Sequence, residues 1–305
     1  MGPENGMNSS EVYYFDMEEY IKRIKLESYL LEHLEETNAN FEEYLKYLTK
    51  YDNYSVIYYF IDLLSKELKY SQAIENHHYI PPKELLDSDV FFDTFQMSHN
   101  RIKDLHQFVT NREVPYGYRN SEVRVSRMTD HGEEIFWRGA QSIDVKKFMD
   151  DFIRIYKMNS LSLLSSNPFL KSALMHLLFV RIHPFTDGNG RCARMIHNIK
   201  FTEGINKIYG MKLKICPLNL SHSILVNQLT YVNRIDHIYF DLEHDSNDEI
   251  NKWFDFVLNM VDEQLYFSMN RISNLDRAFA NLSQMKEFDT SEMQDKIKKM
   301  VIKAN

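Results

Sequence analysis

The stretch that decides how this chain is read is His183-Pro184-Phe185-Thr186-Asp187-Gly188-Asn189-Gly190-Arg191-Cys192-Ala193-Arg194. It holds an imidazole, a carboxylate, a Gly-Asn-Gly turn and two arginines. Upstream, Asn167 suits a helix cap and Pro168 the first helical turn. Phe169, Leu170, Ala173, Leu174, Leu177, Leu178 and Val180 then continue a buried helical pattern toward His183. Downstream, Ala193, Met195, Ile196 and Ile199 predict a second helix. The segment therefore reads as a tight loop that opens the second helix at its N-terminus, where backbone N–H groups converge and an anion is favoured.

The residue types suit phosphoryl or nucleotidyl transfer. Gly188 and Gly190 leave no side chain between the loop amides and a phosphate. Asn189 can donate its amide to a phosphate oxygen. Asp187 is a hard oxygen ligand of the kind Mg²⁺ takes when phosphates supply the rest. Arg191 and Arg194 lie three apart on one helix face, and guanidinium groups match polyphosphate oxygens in pairs. His183 titrates near neutrality and can take a proton from an attacking hydroxyl. Each feature alone has an ordinary reading as a turn, a loop histidine or a solvated face. Their conjunction in one helix–loop–helix context favours function.

These residues resemble the Fic motif H-x-F-x-[DE]-G-N-G-R-x-x-R, and every fixed position is matched. The resemblance implies a mainly α fold, a helical Fic core with a small β-hairpin flap next to the active-site loop. It implies a protein adenylyltransferase that moves AMP from Mg-ATP to a Ser, Thr or Tyr hydroxyl. His183 would be the base, Asp187 the Mg²⁺ ligand, and Gly188, Asn189 and Gly190 the anion hole. Arg191 and Arg194 would hold the β- and γ-phosphates. Gly190 departs from Doc-type relatives, which carry lysine there and bind nucleotide in the opposite sense. Donors other than ATP (UMP or phosphocholine transfer), removal of AMP, and a purely nucleotide-binding regulatory module stay open as alternatives.

The resemblance extends upstream. Leu105-His106, Gly117-Tyr118-Arg119 and Val123-Arg124-Val125 are similar to the segment leading into the Fic hairpin. On their own, Glu122 to Val125 read as a short strand, Asp130-His131-Gly132-Glu133 as a turn, and Ile135, Phe136 and Trp137 as the return strand. An exposed edge over 122–137 suits docking of an extended protein substrate by strand addition. Further upstream, Ser71-Gln72-Ala73-Ile74-Glu75-Asn76 resembles the inhibitory signature [ST]-x-x-x-E-[GN] in its N-terminal, class II placement. By that resemblance Ser71, Glu75 and Asn76 form an inhibitory motif in which Glu75 pairs with Arg194 and keeps the γ-phosphate out. Asn227 and Tyr231, one helical turn apart, fall near where Fic proteins line the adenine and ribose pocket.

Composition agrees. With 305 residues, 44% of them hydrophobic, the chain is long enough for a large core. Only 9 Gly and 7 Pro beside 19 Tyr and 20 Phe point to a helical body with aromatic packing. A net charge of -8 argues against a broad nucleic-acid-binding surface. Cys192 and Cys216 make no metal-ligand set and suit a reducing compartment. Residues Met1 to Tyr20 show no signal-peptide pattern, and no apolar run is long enough to cross a bilayer. A cytoplasmic location without membrane contact is expected, with self-modification and homo-oligomerisation both compatible with the sequence.

Three zones are expected: an N-terminal helical region over 1–95, a catalytic core over 96–210 and a C-terminal helical region over 211–305. Helical periodicity runs through Tyr20–Leu34, Tyr44–Tyr70, Ile224–Ile235 and Ile250–Phe267. Ser246 and Glu249 resemble a capping box. Ile80-Pro81-Pro82 marks a break before the core, and Asp289–Asn305 is a polar end.

Overall fold

A helix that is apolar on every side belongs at the centre of a helical protein, and α7, Pro168–Ile182, has that composition. In the computed structural model almost all of its residues are buried. Asn167 caps it, accepting from the amides of Phe169 at 2.9 Å and Leu170 at 3.2 Å. Residues 16–48, 53–75, 96–129, 132–158, 163–211, 213–244 and 246–283 are described.

The helices preceding α7 are α1 Met17–Arg23, α2 Ser28–Leu48, α3 Asn53–Ala73, α4 His99–Val109, α5 Val145–Lys157 and the short α6 Leu163–Ser166. After α7 come α8 Asn189–Tyr209, α9 Leu220–Val226, α10 Gln228–His244 and α11 Asp248–Ser283. Between α4 and α5, strands β1 Arg124–Thr129 and β2 Gly132–Arg138 pair antiparallel, with a register irregularity at Val125/Ser126. The architecture is mainly helical. Among the described residues no helix is long and apolar enough to cross a membrane.

The α7–α8 pair forms the centre, with α3 and α4 packed on α8, α5 and α11 on α7, and α9 packed on α3 and α11. Phe41 of α2 stands edge-on to Phe169 and Phe201, joining the N-terminal region to the central pair. The hydroxyls of Tyr44 and Tyr59 both donate within a buried cluster near the Pro217 carbonyl. The regions of the chain thus share one apolar cluster from Met17 to Ile272.

Several local expectations are corrected. The periodic run Tyr20–Leu34 is two helices, because the chain extends at Ile24. The break is held from afar: the amides of Lys25 and Glu27 donate to the side chains of Asn247 and Asn251, and Asn251 Nδ2 donates to the Lys25 carbonyl. The run Ile224–Ile235 is also two helices, meeting at Asn227. At the start of α11 Ser246 Oγ accepts from Asp248 N at 3.0 Å, and Glu249 lies 2.7 Å from Lys252 Nζ. Glu122 and Val123 precede β1, and Glu122 closes the hairpin base by accepting from the amide and hydroxyl of Ser142. Asn76, the Ile80-Pro81-Pro82 break, two of the turn residues (130 and 131) and the polar end lie outside the described residues.

Candidate active site

The loop between α7 and α8 begins with a backbone departure. His183 ends α7 in the left-handed region, at φ 53° and ψ 60°, a conformation that is uncommon for a residue with a side chain and worth a functional explanation. The cap turns the imidazole so that Nδ1 lies 3.1 Å from the carbonyl of Val180. A carbonyl can only accept, so Nδ1 carries the proton and Nε2 keeps its lone pair. Burial is the main cause holding the His183 pKa down at about 4, with the Arg119 cation adding to it. The ring is therefore neutral near pH 7.

Arg119 fixes this cap. Its Nε donates to the His183 carbonyl at 2.7 Å, Nη1 to the Ser121 carbonyl at 2.8 Å, and Nη2 to the Ala140 carbonyl. Its backbone amide donates to Pro184 O at 2.9 Å, and Ala140 N donates to Ile182 O. A cation at a helix C-terminus also complements the macrodipole. Gly139 lies so near that a Cβ there would fall 2.9 Å from the His183 Cβ. The base of the β1–β2 hairpin is thus joined directly to His183.

Asn189 is corrected in one respect. Its side chain does not face the loop opening: Oδ1 accepts from Phe185 N at 2.9 Å and Nδ2 donates to Phe185 O at 2.8 Å. It braces the loop, leaving anion binding to backbone groups. On the other wall, His106 of α4 stacks on Phe185 at 3.7 Å and 11°, and its Nε2 donates to the Asp187 carbonyl at 2.9 Å. Gly188, at φ 78°, packs so closely on α4 that a Cβ would lie 2.5 Å from Thr110 Cγ2.

Two carboxylates meet the two arginines. Asp187 accepts from Gly188 N at 2.7 Å and from Arg191 Nη2 at 2.9 Å. Glu75 lies 2.8 Å from Arg194 Nη2 through Oε1 and 2.8 Å from Arg191 Nε through Oε2, the second contact off-axis for a hydrogen bond. Ser71 accepts from Arg194 twice, through Oγ at 2.8 Å and its carbonyl at 2.7 Å. Burial is the largest influence on the Arg194 charge and disfavours it; Glu75, with the help of Tyr231, more than offsets this and keeps the group above its ordinary range. A Cβ on Gly190 would fall 2.4 Å from Glu75 Oε1, so the glycine at 190 is what lets this carboxylate lie across the loop.

Glu75 is placed by residues that the sequence reading did not single out. Glu67, one turn before Ser71, accepts from Ser221 N, Ser221 Oγ and Asn198 Nδ2. Burial raises its pKa. Gln228 Nε2 donates to Ile74 O at 2.7 Å. These contacts bind the end of α3 to α8, α9 and α10, across more than a hundred residues of sequence, with no local pattern to announce them.

Asn227 and Tyr231 are also relocated. Asn227 caps α9, its Nδ2 donating to Ser223 O at 3.0 Å. Tyr231 is buried at 5% exposure, its hydroxyl 2.8 Å from His176 Nε2.

Residues 96–199 match the profile of the Fic/DOC family. They form a Fic domain. Within the chain, 107 residues are 29% identical to protein adenylyltransferase fic-1 of Caenorhabditis elegans, covering 34% of this chain and 19% of that protein. The chain thus spans about a fifth of the length of that curated relative. A Fic family protein of Desulfovibrio desulfuricans G20 superposes with a TM-score of 0.58 at 15% identity, over 81% of this chain and 76% of the other. A Fic domain containing signaling protein of Bacteroides thetaiotaomicron VPI-5482 gives 0.53 at 17% identity, over 79% and 97%. The matched residues run from α4 through the first half of α8; α3, which carries Ser71, lies outside them.

Proposed function

We propose that this protein is an adenylyltransferase that moves AMP from Mg-ATP to a Ser, Thr or Tyr hydroxyl of a protein, and that Glu75 restrains it. The observation that carries this reading is His183, its Nδ1 turned to the Val180 carbonyl, beside a loop backed by the two buried arginines Arg191 and Arg194. The adenylyltransferase named among its relatives supports the same reaction class.

In the proposed reaction the target hydroxyl is held near His183 by strand addition along the 122–137 hairpin, which acts as a flap. The hydroxyl oxygen attacks the α-phosphorus, its proton passes to His183 Nε2, and the bond to the pyrophosphate oxygen breaks. The amides opening α8 stabilise charge on the transferring phosphate, and Arg191 and Arg194 orient the departing pyrophosphate. The products are an AMP phosphodiester on the target and pyrophosphate.

The residues fit Mg²⁺ that arrives with the triphosphate. The Asp187 side chain is 53% exposed at the loop, and among the described residues no group of three or more His, Cys, Asp or Glu is placed to hold a metal. Mg²⁺ commonly takes one protein carboxylate when phosphates and water complete its shell. When bound, it neutralises phosphate charge. Each Asp187 oxygen accepts one hydrogen bond, from Gly188 N or from Arg191, and keeps a further lone pair that a metal could take.

The restraint follows from charge competition. A triphosphate and the Glu75 carboxylate seek the same guanidinium of Arg194. With Glu75 in place the terminal phosphate is displaced, so ATP binds in a pose unsuited to in-line attack. Self-modification is the simplest readout once Glu75 is removed.

Incubation with ATP labelled on the α-phosphate, ATP labelled on the γ-phosphate, labelled UTP and labelled CDP-choline tests the donor. Stable protein-bound label from α-labelled ATP is expected. Label from γ-labelled ATP would indicate a kinase, and label from UTP or CDP-choline another donor; either as the dominant product would overturn the AMP assignment.

A further inference from the structure

His106 is fully buried on α4, outside the loop that carries the proposed chemistry. Its Nε2 lies 2.9 Å from the carbonyl oxygen of Asp187. A carbonyl only accepts, so Nε2 carries the proton and Nδ1 keeps a lone pair. Among the described residues nothing donates to Nδ1, which is itself buried. A buried acceptor without a donor costs stability and calls for an explanation. A phenylalanine here could stack on Phe185 without that cost. What the imidazole adds is one donor, and it goes to the Asp187 carbonyl.

That carbonyl belongs to the peptide between Asp187 and Gly188. Across a trans peptide the C=O and N–H groups point in opposite directions. With Asp187 O drawn toward α4, Gly188 N–H faces away from that helix, and Asp187 Oδ1 accepts from it at 2.7 Å. The acceptor on this amide is an anionic oxygen, the chemistry that a phosphate presents. The glycine does not keep this orientation by itself. Gly188 stands at φ 78°, and glycine populates both signs of φ about equally, so the peptide before it can turn over at little steric cost. A side chain at 188 is no remedy, because a Cβ would lie 2.5 Å from Thr110 Cγ2. The close approach of α4 requires the glycine, and the glycine brings a freedom that something else must remove.

The donor is well fixed. The His106 ring stacks on Phe185 at 3.7 Å and 11°, and Asn189 holds both the amide and the carbonyl of Phe185. On α4, Thr110 Oγ1 donates to the His106 carbonyl at 2.7 Å, while Ile102 and Leu105 lie in the apolar core. On the far side of the peptide, Gly188 O accepts from Cys192 N at 3.0 Å as α8 begins. The loop is thus clamped at Phe185 and again at Gly188 O, and His106 holds the peptide between them.

We propose that His106 is a positioning residue whose Nε2–H locks the Asp187–Gly188 peptide, so that Gly188 N–H faces the phosphate side of the loop. The use of that amide rests on the reading of the loop as a site of AMP transfer; the lock itself does not. Without the donor the peptide can turn, presenting a carbonyl oxygen where the transferring phosphate needs an amide. The loss should fall on the chemical step more than on nucleotide binding, because the other loop amides and both arginines remain.

The test uses the full chain. Asp187-Gly188 is the one Asp-Gly pair in the sequence, so isotope labels on the carbonyl carbon of aspartate and the nitrogen of glycine give a single NMR correlation from this peptide. His106→Phe keeps a ring against Phe185 and removes the donor, while His106→Gln keeps a donor near the Nε2 position. Melting temperatures show whether each fold is kept, and His106→Leu gives the same contrast if the Phe variant does not fold. We expect the correlation to shift or split in His106→Phe and to return toward wild type in His106→Gln. Label transfer from α-labelled Mg-ATP is then measured in a Glu75→Gly background. There His106→Phe should lower kcat by about tenfold or more, with KM for Mg-ATP changed less than about threefold, and His106→Gln should recover part of kcat. An unmoved correlation in His106→Phe would overturn the lock, and a moved correlation with unchanged kcat would overturn its part in the reaction. Equal losses in the Phe and Gln variants would assign the effect to ring shape and overturn the donor role. No transfer by Glu75→Gly alone would sink the adenylyltransferase reading first, with the correlation still deciding the lock.

Discussion

Arg119 and His183 are joined through the backbone: Arg119 Nε donates to the His183 carbonyl at 2.7 Å, while the same guanidinium reaches Ser121 O and Ala140 O at the hairpin base. The proposed base and the proposed docking strand therefore share one anchor. Removing it leaves several inward-facing carbonyls without a donor, each costing about 1–3 kcal/mol if buried.

Arg119→Ala is accordingly expected to lower the melting temperature and to reduce protein modification by about tenfold or more through misplacement of His183. ATP affinity should stay near wild type, because the proposed phosphate ligands lie on α8. Thermal melts, label transfer and nucleotide calorimetry on the same preparation check this. A parallel loss of ATP affinity would show that Arg119 supports the whole loop and not the cap alone.

His183→Ala should abolish AMP transfer while ATP binding persists, since the imidazole acts on the attacking hydroxyl. Stopped transfer with retained nucleotide affinity is the expected pair of results. Full transfer in the variant would assign the proton to another group.

Acid stability carries a separate signature. Burial depresses His183 to about 4 and His197 to about 3, and it also lowers His106 and His176. In the unfolded chain these groups titrate near 6.5. Below that pH the unfolded state binds protons that the folded state refuses, so stability is full above about pH 6.5 and falls as the pH drops toward the folded values. His197 alone should cost about 2 kcal/mol at pH 5. Urea unfolding at pH 7.5, 6 and 5 should show a steady loss; equal stability at all three would contradict neutral burial of these rings.

Much of the site was readable before the structure because its chemistry is contiguous. His183 through Arg194 lie on one loop and the first turns of one helix, and the caps at Asn167 and Gly188 are local devices. The placement of Asn189 was misread because its side chain satisfies Phe185, a choice that loop geometry makes and composition does not. Tyr231 looked like a pocket residue by position, but a buried hydroxyl must find a partner and found His176. The helix break at Ile24 has no Gly or Pro to mark it, since Asn247 and Asn251 supply its hydrogen bonds from the far end of the chain. Glu67 and Gln228 share that character. What was illegible is what depends on distant partners.

Asp187 gives a metal-dependent prediction. Its carboxylate occupies Gly188 N and Arg191 Nη2, two groups that a phosphate would otherwise take. Asp187→Ala should therefore bind ATP in excess chelator at least as well as wild type, yet lose the gain in affinity and the transfer that Mg²⁺ confers. Calorimetry with and without Mg²⁺ separates the two effects. Mg²⁺-dependent transfer at the wild-type rate in the variant would remove Asp187 as the metal ligand.

The central claim is that the Glu75 carboxylate, 2.8 Å from Arg194 Nη2, is what holds AMP transfer down. The most direct measurement is incorporation of label from α-labelled Mg-ATP by wild type and Glu75→Gly at matched concentration, including self-modification. The account predicts about tenfold or more incorporation in the variant with total ATP affinity changed far less, because the substitution redirects bound nucleotide into a productive pose. Equal or lower incorporation by a folded Glu75→Gly protein would contradict it.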